Sequence, residues 1–181
     1  MACIAADTLT TFGDIRLGSK FDRHHNKIQI FGKTRMGIVG SAAHTLVAER
    51  AFNDKDVKAD FSTRDNTFDT LIRLHPVLKE KYFLNAKDAE DDPYETSQID
   101  AVFINKNGIF AMYSLREVYE YEQFWAVGSG ACYALGAMHA VYNKYKSAKD
   151  IAKAGAEAGA EFDTSSHLPL TIQTVKLVTS A

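Results

Sequence analysis

Only two cysteines, Cys3 and Cys132, occur in 181 residues, too few for a disulfide framework and in keeping with a reducing cytosol. No apolar run approaches the roughly 20 residues of a membrane-spanning helix, and the N-terminus lacks the charged and apolar regions of a signal peptide. Neither sign of charge dominates. The formal net charge of -2 gives no electrostatic reason to expect DNA, RNA or an anionic membrane as partner. Gly/Ser-rich linkers and internal repeats are missing too. These absences point to a soluble cytoplasmic protein. With 46% hydrophobic and 24% charged residues, it should form one domain, 1–181, with a substantial core.

Metal-binding patterns are also lacking. No H-x-x-x-H or C-x-x-C spacing supports zinc. His24 and His25 are adjacent and point apart on a strand; His139 and His167 read as structural histidines. The acidic stretch from Asp88 to Glu95 has neither the alternating oxygen ligands nor the turn glycine of a hard-cation site, and reads as a solvated loop. No metal and no cofactor is expected.

What is present alternates between hairpins and helix pairs. Cys3 to Ala6 is a short apolar strand, with Thr8 to Gly13 as the following turn. Lys27–Phe31 and Arg35–Val39 flank a Gly32-Lys33 turn as a hairpin. Ser41 caps a helix from Ala42 to about Phe52. A second helix from Thr67 to Leu84 presents Phe68, Leu71, Ile72, Leu78 and Tyr82 on one face, and Pro76 should bend or split it. Gln98–Ile104 and Ile109–Ser114 form another hairpin, and Phe124–Val127 a further strand. Ala131 to Tyr145 reads as a helix buried on most sides. Ser147 and Asp150 open an alanine-rich helix ending near Phe162, and Leu170–Leu177 closes the chain as a strand. This order fits an α+β fold of two stacked antiparallel sheets with helices outside each.

Taken one at a time, the polar residues have ordinary readings. Gly128-Ser129-Gly130 is neither a nucleophile elbow nor a phosphate loop, and alone reads as a tight turn with a serine cap. Cys132 is a nucleophile only if a base lies beside it. Asp7 reads as a turn residue, Lys27 as a solvated strand lysine and Gly40 as a strand terminator.

Together, the succession CIAADTLTTFG, NKIQIF, GIVGSAAHT, WAVGSGACYALGAMHAVY and EFDTSSHLPLTIQTV resembles the proteasome β-subunit superfamily. Its likeness is greatest to HslV-type peptidases and the short bacterial proteasome homologues. The resemblance covers essentially the whole chain, with 53–98 the least informative part. It implies the four-layer αββα sandwich of the N-terminal nucleophile (Ntn) hydrolases. In this family an N-terminal threonine begins the first strand and attacks a peptide carbonyl, its own α-amine acting as base. By the same resemblance Lys27 favours loss of the threonine proton, Asp7 holds Lys27, and the Gly40 N–H serves as oxyanion donor. Ser129 hydrogen-bonds the amine and hydroxyl region, and Asp163 and Ser166 match the D-x-x-S that completes the network.

Two departures stand out. His44 replaces an acidic residue that many relatives carry, and the gap between Asp7 and Lys27 is longer than in HslV-type enzymes, an extended loop around Gly18 to His24. The position of the nucleophile, moreover, lies upstream of Met1; Thr8, Thr10 and Thr11 follow Asp7 and cannot replace it. Two expectations follow. Either a first strand beginning with threonine precedes this stretch, and the protein is a subunit of a self-compartmentalising threonine peptidase acting on peptides or unfolded polypeptides in a homo-oligomeric ring; or it is a non-catalytic pseudo-peptidase, a ring or scaffold subunit. An ATP-dependent unfoldase is the partner such a peptidase would take, and nothing in the chain identifies one.

Overall fold

A computed structural model describes residues 1–87 and 92–178. The acidic loop expected from Asp88 onward falls partly outside the described residues. Among the described residues, thirteen elements form four layers. A central antiparallel sheet runs in the order β4 (Ile28–Phe31), β5 (Thr34–Val39), β6 (Asp100–Asn105), β7 (Gly108–Met112) and β8 (Val118–Tyr121). One face of this sheet is covered by α1 (Ala42–Phe52) and α2 (Arg64–Tyr82), and the other meets β1 (Ala2–Asp7), which pairs antiparallel with β9 (Leu170–Val175). Outside β1 and β9 lie α3 (Ala131–Val141) and α4 (Ala148–Phe162), packed on each other. The expected αββα sandwich is thus the observed one.

The larger core lies between the central sheet and α1–α2. Phe31, Phe52, Phe61, Phe103 and Phe110 form a chain of ring contacts there, with centroids from 5.0 Å (Phe52–Phe61) to 6.0 Å (Phe31–Phe61) apart. Such ring pairs add to the stabilisation given by burial alone. A smaller cluster between the two sheets joins Ala2, Ile4, Ile28 and Ile104. It depends on strand alternation, which turns residues 2 and 4 of β1 to the same side.

Helix starts follow local chemistry. The Ser41, Thr63 and Ser147 hydroxyls accept from the backbone N–H groups of Ala43, Asn66 and Asp150, each satisfying a donor that the first helical turn leaves free. α2 starts before Thr67, at Arg64, and passes through Pro76 as one element. Pro76 sits on the exposed side, as does Ile72, whose carbonyl the proline ring deprives of a partner. That group therefore faces solvent, while Leu74, Val77 and Leu78 hold the helix to the core. Leu71 and Leu78 are buried as expected, but Phe68 and Ile72 are exposed and Thr67, Thr70 and Leu74 take their place.

Three further expectations are corrected. The stretch read as a turn after β1 forms a hairpin of its own, β2 (Thr10–Phe12) and β3 (Ile15–Leu17), because Gly13 supplies the positive φ of the reversal. Phe124–Val127 belongs to no ladder among the described residues. α3, expected to be buried on most sides, buries only Met138, because it is an outer-layer helix that packs chiefly on α4 and leaves Cys132, Tyr133, Gly136, His139 and Ala140 exposed.

Candidate active site

Asp7 ends β1, where the chain leaves the inner sheet, and Lys27 immediately precedes β4. The two meet across the sandwich. Lys27 Nζ donates to both Asp7 carboxylate oxygens, at 3.0 and 2.9 Å. Asp7 Oδ1 also accepts from the backbone N–H groups of Leu9 (2.8 Å) and His167 (3.3 Å). One carboxylate therefore ties together the end of β1, the approach to β4 and the loop after α4. With side-chain exposures of 16% for Asp7 and 32% for Lys27, this pair is shielded more than a surface ion pair and is correspondingly costly to break.

Ser129, Asp163 and Ser166 form a second cluster. Asp163 Oδ2 accepts from both Ser129 Oγ and Ser166 Oγ, each at 2.7 Å, the short distance of a hydroxyl donating to a carboxylate. Asp163 is the C-cap of α4, and Ser129 lies two residues before the start of α3. Their approach requires Gly130 to be small. A Cβ there would lie 3.2 Å from Gly159 Cα and 3.3 Å from Ser166 Oγ.

Burial raises the pKa of Asp163, but hydrogen bonds from Ser166, Ser129 and the Ser165 backbone, with the charge of Lys27, outweigh it and leave the carboxyl below its ordinary value. A lowered pKa makes this carboxylate stabilising above the unfolded-state value, near 4, and the contribution fades as pH falls through the folded value. Asp163→Asn should therefore flatten the loss of stability below about pH 4, measured as the urea midpoint against pH. An unchanged acid limb would show that this carboxylate does not contribute.

Gly40 follows β5 with φ +111°, a conformation side chains rarely adopt. Gly128, at φ +98°, packs so near that a Cβ would stand 3.3 Å from Val39 Cγ1. The turn before α3 and the end of β5 are thus neighbours. Asp7, Lys27, Gly40, Ser129 and Ser166 all line one groove of about 1120 Å³, and Asp163 supports Ser129 and Ser166. The structure therefore gathers all six residues singled out in the sequence around one cleft. Sequence reasoning missed the anchoring of Asp7 by Leu9 and His167, which leaves no side-chain signature because both donors are backbone groups. It also missed the groove walls, including Trp125, Ala134 and Ala156.

Other candidates fall away. Among the described residues no group of three or more His, Cys, Asp or Glu side chains is placed to hold a metal ion. No helix of the described residues is long and apolar enough to cross a membrane. Burial raises the Cys3 thiol to about 11, which disfavours a thiolate.

Solved structures share this architecture. BPH from Thiobacillus denitrificans matches with a TM-score of 0.90 and 35% identity, over 98% of this chain and 94% of that one. The same protein in complex with epoxomicin matches with 0.89 and 34%, over 97% and 93%. HslV from Trypanosoma brucei matches with a TM-score of 0.68 and 15% identity, over 96% of this chain and 92% of that one, a likeness of fold alone. No protein-family model and no curated protein matches the chain. Identities of 34% and 35% over nearly the full length of both chains, on the same four-layer fold, make this protein a member of the proteasome β-subunit and HslV-type superfamily, in company with BPH.

Proposed function

We propose that this protein is a subunit of a threonine-type peptidase that works with an N-terminal threonine as its nucleophile. The observation that carries the reading is the convergence of the Asp7–Lys27 pair and the Ser129–Asp163–Ser166 cluster on one end of a groove running along β1.

In this mechanism the threonine hydroxyl attacks the peptide carbonyl while its proton passes to the threonine's own α-amine. Lys27, held charged by Asp7, favours loss of that proton through its nearby positive charge. The Gly40 N–H faces the developing oxyanion. Ser129, anchored by Asp163 beside Ser166, orients the amine. The amine then passes the proton to the leaving nitrogen, the C–N bond breaks, and an ester joins threonine to the acyl fragment. Water cleaves the ester and regenerates the hydroxyl.

The substrates are peptides or unfolded polypeptide segments, the setting is the cytoplasm, and the assembly is a homo-oligomeric ring. Aromatic surface between Tyr113 and Tyr145 supports assembly, with Tyr119 51%, Tyr133 46% and Tyr145 45% exposed. Light scattering at micromolar concentration should give a mass several times 20.1 kDa; a single monomeric species would remove the ring.

The test of function compares residues 1–181 with a form extended by an added N-terminal strand that begins with a free threonine. The extended form should hydrolyse fluorogenic peptides and be labelled by a threonine-directed epoxyketone, and residues 1–181 should do neither. An extended, processed form that stays inert would replace the peptidase with the scaffold subunit.

A further inference from the structure

Phe68 has the spacing of a core residue on α2 yet is exposed, and the peptidase chemistry makes no use of it. Arg64 and Phe68 are four residues apart on α2, as are Asp65 and Asp69, so the four share one side of the helix. That side faces the turn into β8, and a second pocket of about 570 Å³ opens between them. Its opposite wall is made by Arg116, Glu117, Val118 and Tyr119. The volume is that of a site for a small molecule. No residue of this pocket lines the groove beside β1.

Charges of both signs border this pocket and are held apart. Arg64 Nε donates to the Val118 carbonyl at 2.9 Å, and the Arg116 guanidinium donates to the Glu95 carbonyl. Neutral acceptors thus fix the direction of both side chains, and each fork keeps further N–H donors to give. Among the described residues neither arginine forms an ion pair, and neither do Asp65, Asp69 and Glu117. A simple anion entering the pocket meets three carboxylates, and a simple cation meets two guanidiniums. A molecule carrying both charges a short distance apart satisfies both sets. The exposed rings of Phe68 and Tyr119 offer apolar contact for a third group, and Val118 adds a buried aliphatic side chain.

We propose that this pocket binds a free amino acid with a large apolar side chain: its carboxylate on Arg64 and Arg116, its ammonium among Asp65, Asp69 and Glu117, and its side chain against Phe68 and Tyr119. A guanidinium fork matches a carboxylate with paired, charge-assisted hydrogen bonds, and the two rings favour an aromatic side chain through ring–ring contact. The site is independent of the peptidase. It lies on the α2 side of the central sheet and shares no residue with the groove, so neither proposal stands or falls with the other.

The test titrates residues 1–181, in the assembly they form in solution, with L-phenylalanine, 3-phenylpropionate, 2-phenylethylamine and N-acetyl-L-phenylalanine. Calorimetry measures the affinity, and saturation-transfer NMR follows the ring protons of each ligand. Saturable binding of L-phenylalanine with a Kd of about 1 mM or tighter is expected for a ligand of this size. The three analogues each lack one charge and should bind about tenfold or more weakly. Arg64→Gln should weaken L-phenylalanine and 3-phenylpropionate about tenfold while leaving 2-phenylethylamine little changed. Asp69→Asn combined with Glu117→Gln should remove the preference for L-phenylalanine over 3-phenylpropionate. All three side chains are exposed, and far-UV circular dichroism checks that the variants fold; the analogue series on the unaltered protein decides the matter if one does not. Absence of saturable L-phenylalanine binding overturns the proposal. So does equal binding of N-acetyl-L-phenylalanine, which would make the ligand a peptide C-terminus, and so does equal binding of 3-phenylpropionate, which would leave an anion site only. Unchanged L-phenylalanine affinity in both folded variants would place the ligand elsewhere and overturn it as well.

Discussion

Lys27→Ala, introduced into the form that carries an upstream threonine strand, lowers kcat/KM for a fluorogenic peptide by about three orders of magnitude or more, as expected for one member of a catalytic unit. The loss arises because among the described residues Lys27 alone forms an ion pair with Asp7, its Nζ making both contacts, at 3.0 and 2.9 Å. The fold should survive. Asp7 keeps its two backbone donors, Leu9 N–H at 2.8 Å and His167 N–H at 3.3 Å. Asp7 loses its counter-charge, so the thermal midpoint should fall by less than in Asp7→Ala; a cooperative unfolding transition alongside the collapse in rate separates a catalytic role from a structural one. Lys27→Arg should restore little, since a planar fork does not place its charge where a compact ammonium does. Activity within tenfold of the parent in Lys27→Ala would remove this residue from the mechanism.

Asp7→Ala has the largest expected effect on stability, about 3 kcal/mol, within the range for breaking a shielded ion pair by removing one partner. Four hydrogen bonds go at once: two from Lys27 and one each from Leu9 and His167. Lys27 is left with its charge partly desolvated, and two backbone donors lose their acceptor, which carries its own penalty. Asp7→Asn should cost less, because an amide oxygen still accepts from the backbone while the charge is lost. Urea denaturation of residues 1–181 measures both variants without reference to catalysis. A midpoint shift for Asp7→Ala equivalent to less than about 0.5 kcal/mol would mean that the anchoring contacts are replaced by solvent at little cost.

The two variants divide the site by what each residue touches. Lys27 reaches the cleft, so its loss is read mainly in rate. Asp7 binds three chain segments together, so its loss is read mainly in stability, with rate falling as a consequence of the freed lysine.

Much of this architecture is written locally. Ser41, Thr63 and Ser147 cap their helices through bonds two or three residues long, and the Gly32 turn closes its hairpin within a few residues. Local chemistry suffices there because donor, acceptor and backbone conformation all lie inside one short window. It suffices less well where burial decides. Phe68 and Ile72 have the spacing of a core face, yet Thr67 and Thr70 are fully buried instead, since the direction from which the sheet approaches α2 is not contained in α2.

By itself the sequence determined the β4–β5 and β6–β7 hairpins, the capped starts of α1 and α4 and, through the succession of its motifs, the superfamily. It also singled out, through the resemblance, five polar residues of the cleft and Gly40. Only the tertiary structure decided that those residues meet, because Asp7 and Lys27 are 20 positions apart and Ser129 and Asp163 are 34 apart, and no local rule acts over such separations. It alone decided that Phe124–Val127 has no ladder and that α3 stays largely unburied. Strand and helix patterns specify which side chains share a face. Whether a neighbour arrives to pair with an edge or cover a face depends on the packing of the whole sandwich, and here that packing leaves the groove beside β1 open.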